Sequence, residues 1–351
     1  MTVASEIASP GEVLLETYRV ERVIGGGGMG IVLAATSIKR GDRVAIKILQ
    51  PDQAVRGEIV GRFLLEANAV LKIQNPHVAH VFDVGRLPNG APYMVMEYLE
   101  GSALSTLLRE RGRLPVPVAV DYVLQACEAV VEAHMAGIVH RDLKPANLFV
   151  VQQGGGDCVK VLDFGVSKMR SETGASLGRT APYQMLGSPF YMAPEQIQSS
   201  RDVDQRCDIW ALGVTLYELC TGKRPFQGEA LPTLMMAVMQ REPVPLRELL
   251  PDAPPELAEV VARCLQKDPA QRYPNVALLA EALAPLAPER ALESIERISR
   301  VSRATPMPSA PPDAPEVAPK PPARRGRAGW VLLALAIVAV VVAAAVLHFR
   351  R

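Results

Sequence analysis

The stretch His140-Arg141-Asp142-Leu143-Lys144-Pro145-Ala146-Asn147, followed sixteen residues past its last member by Asp163-Phe164-Gly165, constrains this chain more than any other feature. Asp142 can accept a hydroxyl proton, and Lys144 can sit against a transferring phosphate. Asn147 and Asp163 offer the oxygen donors that suit Mg²⁺. Together these are the groups that phosphoryl transfer needs, and the spacing is too specific to arise by chance.

Hydropathy patterning divides the chain in two. Tyr18–Ile24, Ile31–Ala35 and Val44–Leu49 read as strands, and Gly57–Lys72 reads as a helix through Ile59, Phe63, Leu64, Ala67 and Val70. Val78–Val84 and Tyr93–Tyr98 are further strands, separated by the turn Pro88-Asn89-Gly90. After Gly101 long helical patterns take over, among them Val116–Ala136 and Asp208–Leu219. A β-rich front and a helix-rich back predict an α+β fold in two lobes, the first over 18–98 and the second over 99–285, with 1–17 as an N-terminal tail.

Gly25-Gly26-Gly27-Gly28-Met29-Gly30-Ile31-Val32 contains G-x-G-x-x-G-x-V. Glycines let backbone N–H groups approach phosphate oxygens without interference from Cβ. A dinucleotide-binding fold would need a helix directly after these glycines. Here a strand and the Gly41-Asp42 turn follow, so that reading fails.

With these motifs the chain resembles the eukaryotic-type (Hanks-type) serine/threonine protein kinases, over about Tyr18 to Leu283. The resemblance implies ATP as phosphate donor, Mg²⁺ or Mn²⁺ as cation, and serine or threonine hydroxyls of proteins as acceptors. It implies that Ile24 to Val32 and Ala45 line the nucleotide, that Lys47 pairs with its α- and β-phosphates, and that Glu66 clamps Lys47, with Glu58 on the same helix as the alternative. The backbone of Glu97 and Leu99 would hold the adenine, with Met96 behind it. Asp142 and Lys144 take the catalytic roles, Asn147 and Asp163 the metal. His140, Phe164 and Gly165 support the loop, Asp208 braces its backbone, and Glu195 in Ala193-Pro194-Glu195 pairs with Arg272. Ser188 stands where most relatives have threonine and keeps the hydroxyl. Arg141 would grip a phosphorylated activation loop, for which Thr180 is the first candidate, with Thr173 and Ser176 behind it.

Two other classes are weighed against this reading. A catalytically dead scaffold typically lacks the lysine or one of the aspartates, whereas Lys47, Asp142 and Asp163 are all present. A small-molecule kinase is disfavoured by the Ala193-Pro194-Glu195 segment.

The C-terminal region departs from a soluble pattern. Residues 289–300 form either a short amphipathic helix or a solvated stretch of linker. Thr305–Pro322 holds eight prolines in eighteen residues, which favours extended chain reaching ~55 Å. The proline-rich linker is therefore expected over 286–329. Trp330–Phe349 follows: twenty residues without a charge, twelve of them Val, Leu, Ile or Phe. Membrane insertion gains on the order of 4–7 kcal/mol from those twelve, and the length matches the bilayer core. A single span over 330–349 is expected, with 350–351 outside. Lys320, Arg324, Arg325 and Arg327 before it place the kinase domain in the cytoplasm. External ligand sensing is not expected from this chain alone, nor is a secretory signal peptide. Pairing into a homodimer is a family-level expectation.

Five scattered cysteines without a CxxC spacing argue against a disulfide framework or zinc site and suit a reducing cytosol. A net charge of +1, from 38 basic against 37 acidic side chains, gives no reason to expect nucleic acid as a partner.

Overall fold

The computed structural model describes residues 9–27, 30–49, 73–164, 188–198 and 203–304, together with Gly61, Phe63, Leu64, Ala67, Val70 and Leu71. An antiparallel sheet occupies the first part: β1 (Val13–Leu14), β2 (Tyr18–Gly27), β3 (Gly30–Ser37), β4 (Arg43–Leu49), β5 (Val81–Arg86) and β6 (Pro92–Glu97), in the spatial order β1-β2-β3-β4-β6-β5. The alternation of the strands sorts its two faces. Leu33, Ala35, Val44, Ile46 and Ile48 pack into one apolar cluster, which leaves Val32, Ala45 and Lys47 for the opposite face. Gly30 is required where β3 meets β4, since a Cβ there would lie 2.2 Å from the Ile48 carbonyl oxygen.

The second part starts with β7 (Gly101–Ala103), which joins β8 (Leu148–Gln153) and β9 (Gly156–Val161) in a three-stranded sheet. Helices α1 (Leu104–Arg111) and α2 (Val116–Met135) precede β8. After β9 come α3 (Pro194–Gln198), α4 (Arg206–Thr221), α5 (Leu231–Gln240), α6 (Leu246–Leu249), α7 (Pro255–Cys264), α8 (Val276–Leu283) and α9 (Leu292–Ala304). α2 is buried on every side from Ala119 to Val131, and α4 from Cys207 to Cys220. Both are therefore interior helices rather than amphipathic surface ones. α4 ends on Gly222 in the left-handed conformation (φ 71°), a C-terminal cap that glycine adopts without strain. Gly213 lets α7 close on α4, because a Cβ would stand 2.4 Å from Cys264 Cβ.

Two boundaries differ from the sequence expectation. The expected tail of 1–17 contains β1, whose Leu14 pairs with Tyr18 and is buried. The linker expected from 286 instead begins as ordered chain. A 3₁₀ turn over Glu289–Ala291 leads into α9, which packs on α2 and buries Ala291, Ser294 and Ile298. Its apolar positions Ile295, Ile298 and Val301 lie at helical spacing, and a docking face supplies the stability that a short isolated helix lacks. The expected span over 330–349 lies outside the described residues, as does the proline tract. Among the described residues no helix is long and apolar enough to cross a membrane.

The pair Glu195–Arg272 joins α3 to the segment before α8. Arg272 is 1% exposed, and its two terminal nitrogens reach the two carboxylate oxygens at 2.7 and 2.8 Å. The remaining guanidinium hydrogens go to backbone carbonyls of Gln266, Lys267 and Arg206. Breaking such a buried pair leaves an uncompensated charge. Arg272→Ala is expected to lower the free energy of unfolding by about 3–5 kcal/mol, read by urea denaturation. A loss under about 1 kcal/mol, the range of a surface ion pair, would contradict the assignment.

Candidate active site

Two backbone N–H groups and one imidazole, gathered on a single carboxylate, shape the loop that holds Asp142. Arg141 has φ 65°, a left-handed conformation that costs a non-glycine residue of order 1–3 kcal/mol. Asp208, fully buried on α4, keeps it there. Asp208 Oδ2 accepts from the His140 N–H at 2.8 Å, and Oδ1 accepts from the Arg141 N–H at 2.7 Å. Oδ2 also lies 2.8 Å from Nε2 of His134 on α2. Burial works against the charge of Asp208, but the bond from His134, the neighbouring imidazoles and the loop amides outweigh it. The carboxyl sits below the ordinary aspartate range.

His140 links this loop to the strand that ends in Asp163. Its Nδ1 accepts the Asp142 N–H at 3.3 Å, while Nε2 lies 2.9 Å from the Leu162 carbonyl and so carries the proton. The ring also packs on Phe164, with centroids 4.8 Å apart. With both nitrogens occupied and no exposure, His140 is a tie and not a proton carrier.

The reactive side chains converge beside this tie. Lys144 Nζ stands 2.5 Å from Asp142 Oδ2. Asn147 Nδ2 donates to the Asp142 carbonyl at 2.8 Å and to Oδ2 at 3.0 Å. Both amide hydrogens are thereby used, which leaves Asn147 Oδ1 as an acceptor. Asp163, also left-handed at φ 60°, bonds through Oδ1 to Lys47 Nζ at 2.5 Å and keeps Oδ2 for another partner. Burial opposes ionisation of Asp163, but Lys47 above all, with Lys144, holds its carboxyl below the usual range. Two hard oxygen acceptors held among cations fit Mg²⁺.

The nucleotide-side residues divide. Lys47 is buried on the cleft face of the upper sheet with Ala45 and Val32. Gly25 and Gly26 sit at the end of β2, and Gly26 has open space where a Cβ would be. Ile24 is exposed. Ile31, expected among the nucleotide contacts, instead turns its side chain into the opposite apolar cluster and is 3% exposed. The period of two along β3 carries it away from Val32. Met96 closes a small cavity with Val70, Val81, Met94, Asp163 and Phe164. The Glu97 N–H donates to the His80 carbonyl at 2.9 Å, and its carboxylate pairs with Lys160 at 2.8 Å. Leu99 follows in the irregular link between β6 and β7.

Gly28, Met29, Glu66, Gly165, Thr173, Ser176 and Thr180 lie outside the described residues, as does the Ser188 side chain. Arg141 Nη2 donates to the Val203 carbonyl at 3.2 Å, while its Nε is buried without an acceptor among the described residues. His134 and Lys160 were not anticipated from the sequence. A histidine in an apolar helix and a lysine in a strand carry no motif, and only the fold brings them to Asp208 and Glu97.

The protein kinase domain model matches residues 18–283. Serine/threonine-protein kinase Pkn1 of Myxococcus xanthus is 39% identical over 268 residues, covering 76% of this chain and 38% of the relative. Serine/threonine-protein kinase PknA of Mycobacterium tuberculosis is 37% identical over 278 residues, covering 78% of this chain and 62% of the relative. The crystal structure of the Mycobacterium tuberculosis PknI kinase domain superposes with a TM-score of 0.62 at 27% identity, over 80% of this chain and all of that one. The chain thus spans well under two thirds of the Myxococcus relative's length.

Because Asp208 has a depressed carboxyl pKa, its contribution to stability is present above the ordinary aspartate range and is lost as pH falls through its folded value. Thermal unfolding of wild type and Asp208→Asn should therefore differ most near neutrality, and the gap should narrow below about pH 4. A gap constant with pH would contradict the ionised state of Asp208.

Proposed function

This chain belongs to the protein kinase family, and on that premise we propose that it is an active serine/threonine protein kinase tethered to a membrane. The observation that carries the reading is the assembly around one carboxylate: Lys144 at 2.5 Å and Asn147 at 3.0 Å from Asp142 Oδ2. Asp142 accepts the proton of the substrate hydroxyl as that oxygen bonds to the γ-phosphorus and the bond to the β-phosphate oxygen breaks. Lys144 stabilises charge on the transferring group, and Lys47 orients the phosphates from the upper sheet. Asn147 Oδ1 and the Asp163 carboxylate would hold Mg²⁺, which neutralises charge on the phosphate oxygens when bound. Met96 and the segment from Glu97 to Leu99 bound the adenine side.

Activity is proposed to depend on phosphorylation between residues 165 and 188, at Thr180 first and at Thr173 or Ser176 otherwise. The buried Arg141 Nε, without an acceptor among the described residues, supports this, since a phosphate would supply one. Residues 330–349 are proposed as the single membrane span, with the kinase domain on the cytoplasmic side. The uncharged composition of that segment and the four basic residues before it support the placement.

Label transfer from γ-labelled ATP to a generic protein substrate tests the chemistry. Asp142→Asn should reduce the rate by about 10²–10⁴-fold, and equal labelling would remove Asp142 from its role. Mass spectrometry of the active wild type should find a phosphate within 165–188. For the membrane span, the full chain should stay with membranes through a high-salt wash, and a chain ending at 329 should be released. Retention of the shortened chain would sink the anchor.

A further inference from the structure

The ordered chain beyond the family's 18–283 span carries two arginines whose partners lead back to the strand before Asp163. β9 is the outer strand of its sheet, so one of its edges has no full strand partner. At Val161 that edge is closed by the backbone of the loop before β5: the Val161 N–H donates to the His77 carbonyl at 2.8 Å, and its carbonyl accepts from the Ala79 N–H at 3.1 Å. At Val159 two side chains do the same work. Gln125 Oε1 accepts the Val159 N–H at 2.7 Å, and His77 Nδ1 donates to the Val159 carbonyl at 2.9 Å.

Each of these side chains leans on a buried carboxylate of α2. Gln125 Nε2 donates to Asp121 Oδ2 at 3.1 Å, and His77 Nε2 lies 3.7 Å from Glu128 Oε2. Asp121 and Glu128 are seven residues apart and so share one face of the helix. Both side chains are 2% exposed, and buried carboxylates are costly unless paired. Their cations come from outside the family span. Arg290 Nη2 donates to Asp121 Oδ2 at 2.7 Å, and Arg297 Nε donates to Glu128 Oε1 at 2.8 Å. Glu128 Oε2 has no hydrogen bond among the described residues. Because His77 Nδ1 is the donor to Val159, a neutral His77 presents only a lone pair to that oxygen. Arg297 is therefore the bonded cation of Glu128.

We propose that Arg290 and Arg297 are positioning residues for the phosphoryl-transfer site. Arg290 pins Asp121 and so holds Gln125 against Val159, while Arg297 keeps Glu128 packed behind the His77 ring; together they fix the strand end that sets Asp163 and its bond to Lys47. The chemistry affected rests on the kinase reading; the geometry does not. Loss of either arginine leaves a buried carboxylate to protonate or to turn toward its remaining neighbours, and the grip on β9 loosens.

The test uses the full chain as wild type, Arg290→Ala, Arg297→Ala, Arg297→Lys and Leu257→Ala. Leu257 is fully buried in α7, which packs on α4, and its loss gives a destabilised control with no link to β9. Two readouts are taken on folded protein: binding of a fluorescent ATP analogue with Mg²⁺, and KM and kcat for ATP. Each arginine-to-alanine variant is expected to weaken nucleotide binding and raise KM by about 2- to 30-fold, and Arg297→Lys should recover part of the loss. Leu257→Ala should leave both unchanged. Arginine variants that match Leu257→Ala in binding and KM overturn the proposal. If an alanine variant does not fold, the charge-removing Arg290→Gln or Arg297→Gln takes its place, and values matching Leu257→Ala would equally overturn the proposal. A wild type that binds nucleotide yet labels no protein would defeat the kinase reading alone, and the binding comparison would still decide the coupling.

Discussion

The geometry of the site depends on one buried carboxylate. Taking Asp208 out of water costs several kcal/mol, and the donors that offset this are two consecutive backbone N–H groups and one imidazole. Two successive N–H groups can converge on one carboxylate only if the chain turns sharply between them, and the left-handed Arg141 makes that turn. Strain at Arg141 and burial at Asp208 are therefore two halves of a single arrangement, each unfavourable alone. Asp142 follows Arg141 directly, so its direction is inherited from this turn. His140 carries the same constraint onward to the Leu162 carbonyl, one residue before Asp163. Asp142 and Asp163 reach a common cleft because both are tied, through His140, to Asp208.

A second buried centre shows how cations are kept in the helical part. Arg272 lies 5.0 Å over Trp210, and Lys267 lies 5.0 Å from the same ring and 4.0 Å from Phe226. Burial pushes the Lys267 ammonium down to about 8, with Glu242 and Arg272 pulling in opposite directions. The two ring faces and the Val238 carbonyl at 2.8 Å favour the charged form. We take Lys267 as charged at neutrality on that account. The aromatic floor lets two cations share a small volume, of which Arg272 is the one bonded to Glu195.

How much of this was legible in the sequence follows from which forces act locally. Strand alternation and helical periodicity mark β2 to β6, α2 and α4 to within a few residues, because burial of one face or of a whole helix is written in adjacent residues. The spacing of Asp142, Lys144 and Asn147 is likewise local, within one loop. Ile31 lies inside the glycine motif, yet its side chain obeys the pleat of β3 and points into the apolar cluster. The ordered segment after Leu286 was hidden for a different reason. Its stability comes from Asp121 and Glu128, about 169 residues away in each case, and no window of sequence contains both partners. His134 and Lys160 fall in the same class.

The placement of α9 also bears on how readily it can leave the domain. Undocking α9 together with the 3₁₀ turn before it would expose Ile298 and Ala291 and would strip both buried carboxylates of their cations. Each unpaired charge costs about 3–5 kcal/mol, a large part of the 5–15 kcal/mol that holds a typical domain together. Neutralising Asp121 and Glu128 by protonation would relieve only part of this, since Gln125 would then lose its charged neighbour. Complete release of α9 is thus too expensive to serve as a routine switch. A small shift is far cheaper, since it lengthens two charged contacts without breaking them. A small displacement of the docked helix would therefore reach β9 through Asp121 and Gln125 without setting that helix free.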